Sequence, residues 1–395
     1  MNRTLAVVLS LAVTAAAAAD LRAGRPSEID KTGIPFRPVS GYLPGLLSSL
    51  AVPIESQVSV FSRTSAQAHL ISPENPRVIY FSDDAAVGWV RGSPVVEVAR
   101  TDPENGIAFD TVRQDQQVKP VLTPAEGCTA CHQSAATLGV PGLLTLSTVE
   151  GHVEGAAPVS VVTDHRTPLE TRWGGWYVTG RSTGWKHHGN RVGQGWLVSL
   201  YDQFYDEGYV GRYSDIVALM VLEHQTRMTN LLTLLGRQVK TGAPGDEVKR
   251  TIAETVDYML FVDEASLPAR IIGTSGFAEY FAALGPRDAK GRSLRDFDLK
   301  TRLFRYPCSY MVYSKLFQQL PQAAKDAIYD RLIEILSDDG MTDVRYARLN
   351  SDARRAISDI LADTQAGFVT RQRVLRCSIA SPSSSRPTCE HIEAS

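Results

Sequence analysis

The period of the apolar residues changes once along this chain, from two to about 3.6, a little past residue 208. Before that point, residues 77–81, 86–90, 95–99 and 107–112 are short runs rich in β-branched and aromatic side chains. They are separated by Asp83-Asp84, Gly92-Ser93-Pro94 and the stretch 102–106. Turn-forming clusters at such spacing predict a meander of antiparallel strands. Residues 143–147 and 159–162 read as strands too. After the change, Ile216, Met220, His224, Met228, Leu231 and Leu235 recur at steps of three and four, with Ser214 placed to cap the helix and Gly236 to close it. Further helices are expected at 246–262, 276–284, 309–320, 322–337 and 352–363. The expected class is therefore α+β: a β-rich domain over 51–208, then an all-helical domain over 209–370. Residues 20–50, with Pro26, Pro35, Pro38 and Pro44, read as an extended arm, and 371–395 as a Ser/Pro-rich tail.

Residues 1–19 begin Met-Asn-Arg, continue with an apolar core from Leu5 to Val13, and end Ala17-Ala18-Ala19. This is the pattern of a secretory signal peptide, so a periplasmic or otherwise secreted protein is expected. No later apolar run is long enough to span a bilayer. Lys and Arg number 41 against 43 Asp and Glu, a formal charge of −2. No global field then favours nucleic acid or an anionic membrane.

Against that background stands Cys128-Thr129-Ala130-Cys131-His132. Two thiols two residues apart can each add to a porphyrin vinyl group, and the histidine that follows is placed to ligate the iron. A Cys-x-x-Cys also serves as a redox dithiol, half of a zinc site or a disulfide loop. No βαβ pattern precedes it, however, and no second Cys-x-x-Cys or His-x3-His follows. The expected cofactor is thus one covalently bound haem c, which makes the β-rich domain the haem-bearing one. Of the other cysteines, Cys308 reads as a buried small hydrophobe, while Cys377 and Cys389 could close a small loop in an oxidising compartment.

Four of the five tryptophans, Trp173, Trp176, Trp185 and Trp196, fall in residues 172–196 beside His187 and His188. Trp173 and Trp176 are candidates for the wall of a haem or substrate pocket, the alternative being simple core packing. For the far side of the iron, no methionine occurs between His132 and Met220. His224, on the apolar stripe between Met220 and Met228, is the first candidate for the distal ligand, and those two methionines, on the same face, are alternatives to it. His187 and His188 are the second candidates, at most one of them facing the iron. An open or water-ligated iron is the remaining alternative. His152 and His165 read as surface loop residues.

At Cys128–His132 the chain resembles the c-type cytochromes. More loosely, residues 78–84, Val140-Pro141-Gly142, residues 173–180 and Pro307-Cys308-Ser309-Tyr310 are similar to a large group of secreted bacterial cytochrome c-like proteins. The resemblance implies thioether bonds at Cys128 and Cys131, His132 as proximal ligand, and electron transfer with a redox partner protein. The alternative is a peroxidase- or oxygenase-like haem enzyme with an open distal site, in which Arg172 or Arg181 would stabilise an oxyanion and His187 or His188 would move a proton.

Overall fold

A computed structural model describes residues 33–102, 104–149, 158–337 and 343–380, and for 376–380 the backbone only. The expected signal peptide, His152 and the Cys377–Cys389 pairing lie outside the described residues or side chains.

The meander forms as expected. Strands β1 (Val58–Val60), β2 (Arg77–Phe81), β3 (Ala85–Trp89), β4 (Val95–Asp102), β5 (Gly106–Arg113) and β6 (Thr123–Pro124) pair in sequence, each antiparallel to the last. A later strand, β9 (Trp176–Tyr177), adds to the free edge of β1 and makes seven. Alternation gives the sheet two different faces. Val78, Tyr80, Val87, Trp89, Val96, Val98 and Val112 pack on helix α1 (Leu43–Ser49) through Leu43, Leu46 and Leu47. The expected extended arm is therefore helical at its end. Pro44 sits in the first turn of α1, where its missing N–H has no helical partner to lose, so it starts a helix here. On the other face Val58, Val60 and Phe81 join the cluster built by the helices.

After β6 come a single helical turn α2 (Thr129–His132) and a hairpin of β7 (Leu146–Val149) and β8 (Val159–Val162). The helical half is α3 (Ile216–Thr241), α4 (Gly245–Met259), α5 (Phe277–Leu284), α6 (Lys315–Gln318), α7 (Gln322–Leu336), α8 (Ser351–Thr364) and α9 (Ala366–Ala380). Helix α3 starts one residue later and ends about one and a half turns later than the sequence suggests. Asp215, not Ser214, caps it: Asp215 Oδ1 accepts from the Val217 and Ala218 N–H groups, whereas the Ser214 hydroxyl accepts from the Ser59 N–H. It closes at Gly242, whose φ of 68° is left-handed. Gly236 lies inside the helix, where Leu320 packs close against it.

The expected helix 309–320 is divided. Ser309 caps a 3-10 turn (Tyr310–Tyr313), and Ser314 interrupts it with extended backbone before capping α6. Helix α9 occupies 366–380, so the tail expected from 371 begins as helix. Buried Phe368 and an Arg371–Asp330 ion pair dock it. The fold is thus α+β, an antiparallel sheet in the N-terminal half and helices in the C-terminal half.

Candidate haem-attachment site

The chain leaves β6 at the sheet edge and winds into α2, which carries the motif across the second face of the sheet. Cys128 and Cys131 are free thiols, the first half-buried and the second exposed. Burial, followed by the charge of Glu97, pushes the Cys128 thiol pKa up, so it stays protonated at neutral pH. The His132 ring packs against Phe109 of β5 with centroids 4.8 Å apart.

The imidazole of His132 is held in one tautomer. Its Nδ1 lies 2.9 Å from the carbonyl oxygen of Gly142. A carbonyl only accepts, so Nδ1 carries the proton and Nε2 keeps its lone pair. Burial, its largest cause, holds the His132 pKa below the usual histidine range, although the Gly142 carbonyl works against it. The ring is neutral, as a metal ligand must be. Gly142 returns the contact by donating its N–H to the His132 carbonyl at 2.8 Å. Between these two residues, Ser134 and Thr137 close a reciprocal capping box, and the Thr137 hydroxyl also donates to the Val140 carbonyl. Residues 132–142 therefore form a compact loop tied at both ends.

Beneath the motif, Arg77 of β2 and Glu97 of β4 form an ion pair, with Arg77 Nε donating to Glu97 Oε2 at 2.9 Å. Burial, the largest single cause, would raise the Glu97 carboxyl, but the lowering contributions of the Arg77 guanidinium and the Gln67 side chain together outweigh it and the net shift is downward. Gly88 of β3 makes room for Arg77, since a Cβ there would stand 2.3 Å from its Nη2.

A half-buried thiol at the start of α2, an exposed thiol within it and a neutral imidazole with a free Nε2 fit a covalently attached haem. Cys128 and Cys131 would hold it, and His132 would be its axial ligand. Among the described residues no group of three or more His, Cys, Asp or Glu side chains is placed to hold a bare metal ion. A haem iron has four ligands from its porphyrin and needs only axial ones from protein.

The other candidates lie elsewhere. His224 is fully buried and both its nitrogens are engaged, Nδ1 with His165 Nδ1 at 2.9 Å and Nε2 with the Ser309 hydroxyl at 2.7 Å. It stacks on Tyr258 and Phe261 in the helical core and presents no free lone pair to an iron. This corrects the expectation that it closes the distal site. Met220 and Met228 belong to the same core. His165 is buried beside His224, not on a surface loop, because the Arg172 guanidinium takes its carbonyl and draws the segment inward.

His187 sits edge-on among Trp173, Trp185 and Trp196. Its Nδ1 accepts from the Gly189 N–H, which in the neutral ring puts the proton on Nε2. That is the tautomer opposite to the one at His132. Burial, with His188 nearby, drives its pKa down to about 4. His188 is exposed. Trp173 and Trp176 are core residues, so the pocket wall expected of them gives way to packing. Arg172 is equally committed, paired at 3.0 Å with buried Glu223 of α3. Arg181 lies exposed at the surface. Cys308 is buried, as expected, and burial pushes its thiol up to about 12.

The sequence reading missed the partners of the motif: Gly142, Asn230, Phe109 and the Arg77–Glu97 pair. Asn230, on α3, holds the end of the motif loop. Its Oδ1 accepts from the Leu143 N–H and its Nδ2 donates to the Leu143 carbonyl, both at 2.9 Å. Buried polar residues on a helix enclosed on nearly every side were the available signal, since each requires a partner.

No family model, curated protein or solved structure matches this chain. The functional reading rests on the geometry of the site.

Proposed function

We propose that this chain is a secreted, single-haem c-type cytochrome that passes electrons to a redox partner protein. Cys128 and Cys131 carry the thioether bonds and His132 is the proximal ligand. The observation that supports it most directly is the Nδ1 contact of His132 with the Gly142 carbonyl. It leaves Nε2 deprotonated in a five-residue motif that also carries two free thiols, and ligating histidines characteristically donate their other N–H to such a group. When bound, the haem supplies a one-electron couple between ferric and ferrous iron. The chain's own residues fix the ring of His132, place Glu97 and Arg77 beneath it and seat it against Phe109.

The test is expression with its leader in a bacterial host that matures c-type haem. A pyridine haemochrome spectrum of the periplasmic fraction should show one haem per chain that survives acid-acetone extraction. Cys128→Ala/Cys131→Ala should lose the covalent haem, and His132→Ala should lose the axial signature. Purified full-length protein with no covalently held haem in that host refutes the proposal.

A further inference from the structure

Two side chains of α3 hydrogen-bond the segment that follows the motif. Arg237 Nη1 donates to the Gly139 carbonyl at 3.0 Å, and Asn230 grips both backbone groups of Leu143. The second contact is the closer to the chemistry. Leu143 follows Gly142, whose carbonyl fixes the His132 tautomer, so Asn230 sets where that carbonyl points. Gly142 is built around it: a Cβ there would stand 2.2 Å from Asn230 Oδ1 and 3.3 Å from Thr137 Cβ. Asn230 is 2% exposed and its amide makes both bonds with the loop. A side-chain amide bound at both ends to one backbone unit holds that unit in translation and in rotation.

We infer that Asn230 is a positioning residue for the proximal ligand, through which helix α3 governs the electron density that His132 gives the iron. The inference rests on the reading of His132 as that ligand. A carbonyl held at 2.9 Å polarises Nδ1–H and makes Nε2 a stronger donor. Stronger donation favours ferric iron and lowers the potential. If the clamp is released, the loop from Val140 to Leu143 relaxes, the Nδ1–H bond lengthens and the potential rises.

The experiment compares the wild-type holoprotein with Asn230→Ala and Leu231→Ala. Leu231 is the fully buried neighbour on the same helix; its apolar side chain makes no hydrogen bond to the loop, and its loss creates a cavity. Haem content by pyridine haemochrome, midpoint potential by redox titration and the His132 Nδ1 proton resonance by NMR are read for each. Asn230→Ala should keep one covalent haem, raise the potential and move the Nδ1 proton upfield. Leu231→Ala should lower the melting temperature and leave both signals in place. Asn230→Ser, which keeps one hydroxyl for Leu143, serves if the alanine variant does not accumulate, and should shift both signals the same way by less. An unchanged potential and proton resonance in a haem-loaded Asn230 variant overturns the inference, as does an equal shift in Leu231→Ala. A wild type without covalent haem refutes the underlying reading instead.

Discussion

Three histidines of this chain differ in which ring nitrogen keeps its lone pair, and that difference sorts their roles. A carbonyl partner at Nδ1 frees Nε2 in His132, an N–H partner at Nδ1 protonates Nε2 in His187, and His224 has both nitrogens engaged. The His165–His224 pair carries its own consequence. With two Nδ1 atoms 2.9 Å apart, one ring donates and the other accepts, and burial of both keeps them neutral. Burial, above all, drives the pKa of His224 down to about 3 and that of His165 well below the usual range. Unfolded, each ring titrates near 6.5. The pair's contribution to stability is therefore whole above about pH 6.5 and is lost as pH falls toward 3, because the unfolded chain takes up protons that the folded one refuses. Glu264 acts in the opposite sense: burial raises its carboxyl to about 7, so folding gains from its protonation as pH falls. The comparison that isolates the pair is wild type against His165→Phe/His224→Phe in urea unfolding at pH 7.5 and pH 5. The wild type should lose more stability than the double variant across that interval, and equal losses would refute the neutral pair.

At the scale of elements, the junction between the sheet and α3 is made at a glycine. Gly106 opens β5 with φ at 91°, and a Cβ there would meet Thr233 of α3 at 2.1 Å. Gly106→Ala should cost roughly 2–5 kcal/mol, the sum of left-handed backbone strain and overpacking. Gly92, in the β3–β4 turn, has a similar φ of 84° with nothing within 4 Å. Gly92→Ala should cost only about 1–2 kcal/mol, the backbone term alone. Urea midpoints of the two variants measure the difference, which is the price of strand–helix contact. The sequence announced Gly106 as a turn residue but not as a contact, since a contact depends on what lies across the gap. The same holds elsewhere. Strands β2 and β8 and the helices beginning near 246, 277, 322 and 351 were legible because period and turn chemistry are local. Helix α1 was obscured by its proline, and α9 by the Ser/Pro-rich residues that follow it. At the site, Cys128, Cys131 and His132 were legible as a motif because their chemistry depends on spacing alone. Asn230, 87 residues from Leu143, was not, and His224 was placed on an inward stripe without its partners His165 and Ser309 being visible.

The whole molecule is joined more tightly than a division near Gly208 implies. The largest apolar cluster takes Val58, Val60, Phe81, Trp173, Trp176 and Val178 from before that point and the helices from after it. Polar contacts cross it too: the Ser59 N–H donates to the Ser214 hydroxyl, Arg172 pairs with Glu223, and Gln225 donates to the Ser82 carbonyl. If either half is removed, the other exposes a contiguous apolar face and leaves a charged group, Arg172 or Glu223, buried or stranded without its partner. The two halves should then unfold together, and the chain offers a direct way to see this. All five tryptophans lie before residue 208, whereas the described helices of more than seven residues lie after it. Tryptophan fluorescence therefore reports the β-rich half and far-UV dichroism mainly the helical one. The two signals should change at the same urea concentration, and fragments 33–208 and 209–380 expressed alone should bind a hydrophobic dye and show no cooperative transition. Two separated transitions, or a fragment that unfolds cooperatively by itself, would mean that the shared core contributes less than the buried contacts require. Coincidence would mean that the helices and the loop that holds His132, joined through Asn230 of α3, belong to one cooperative unit.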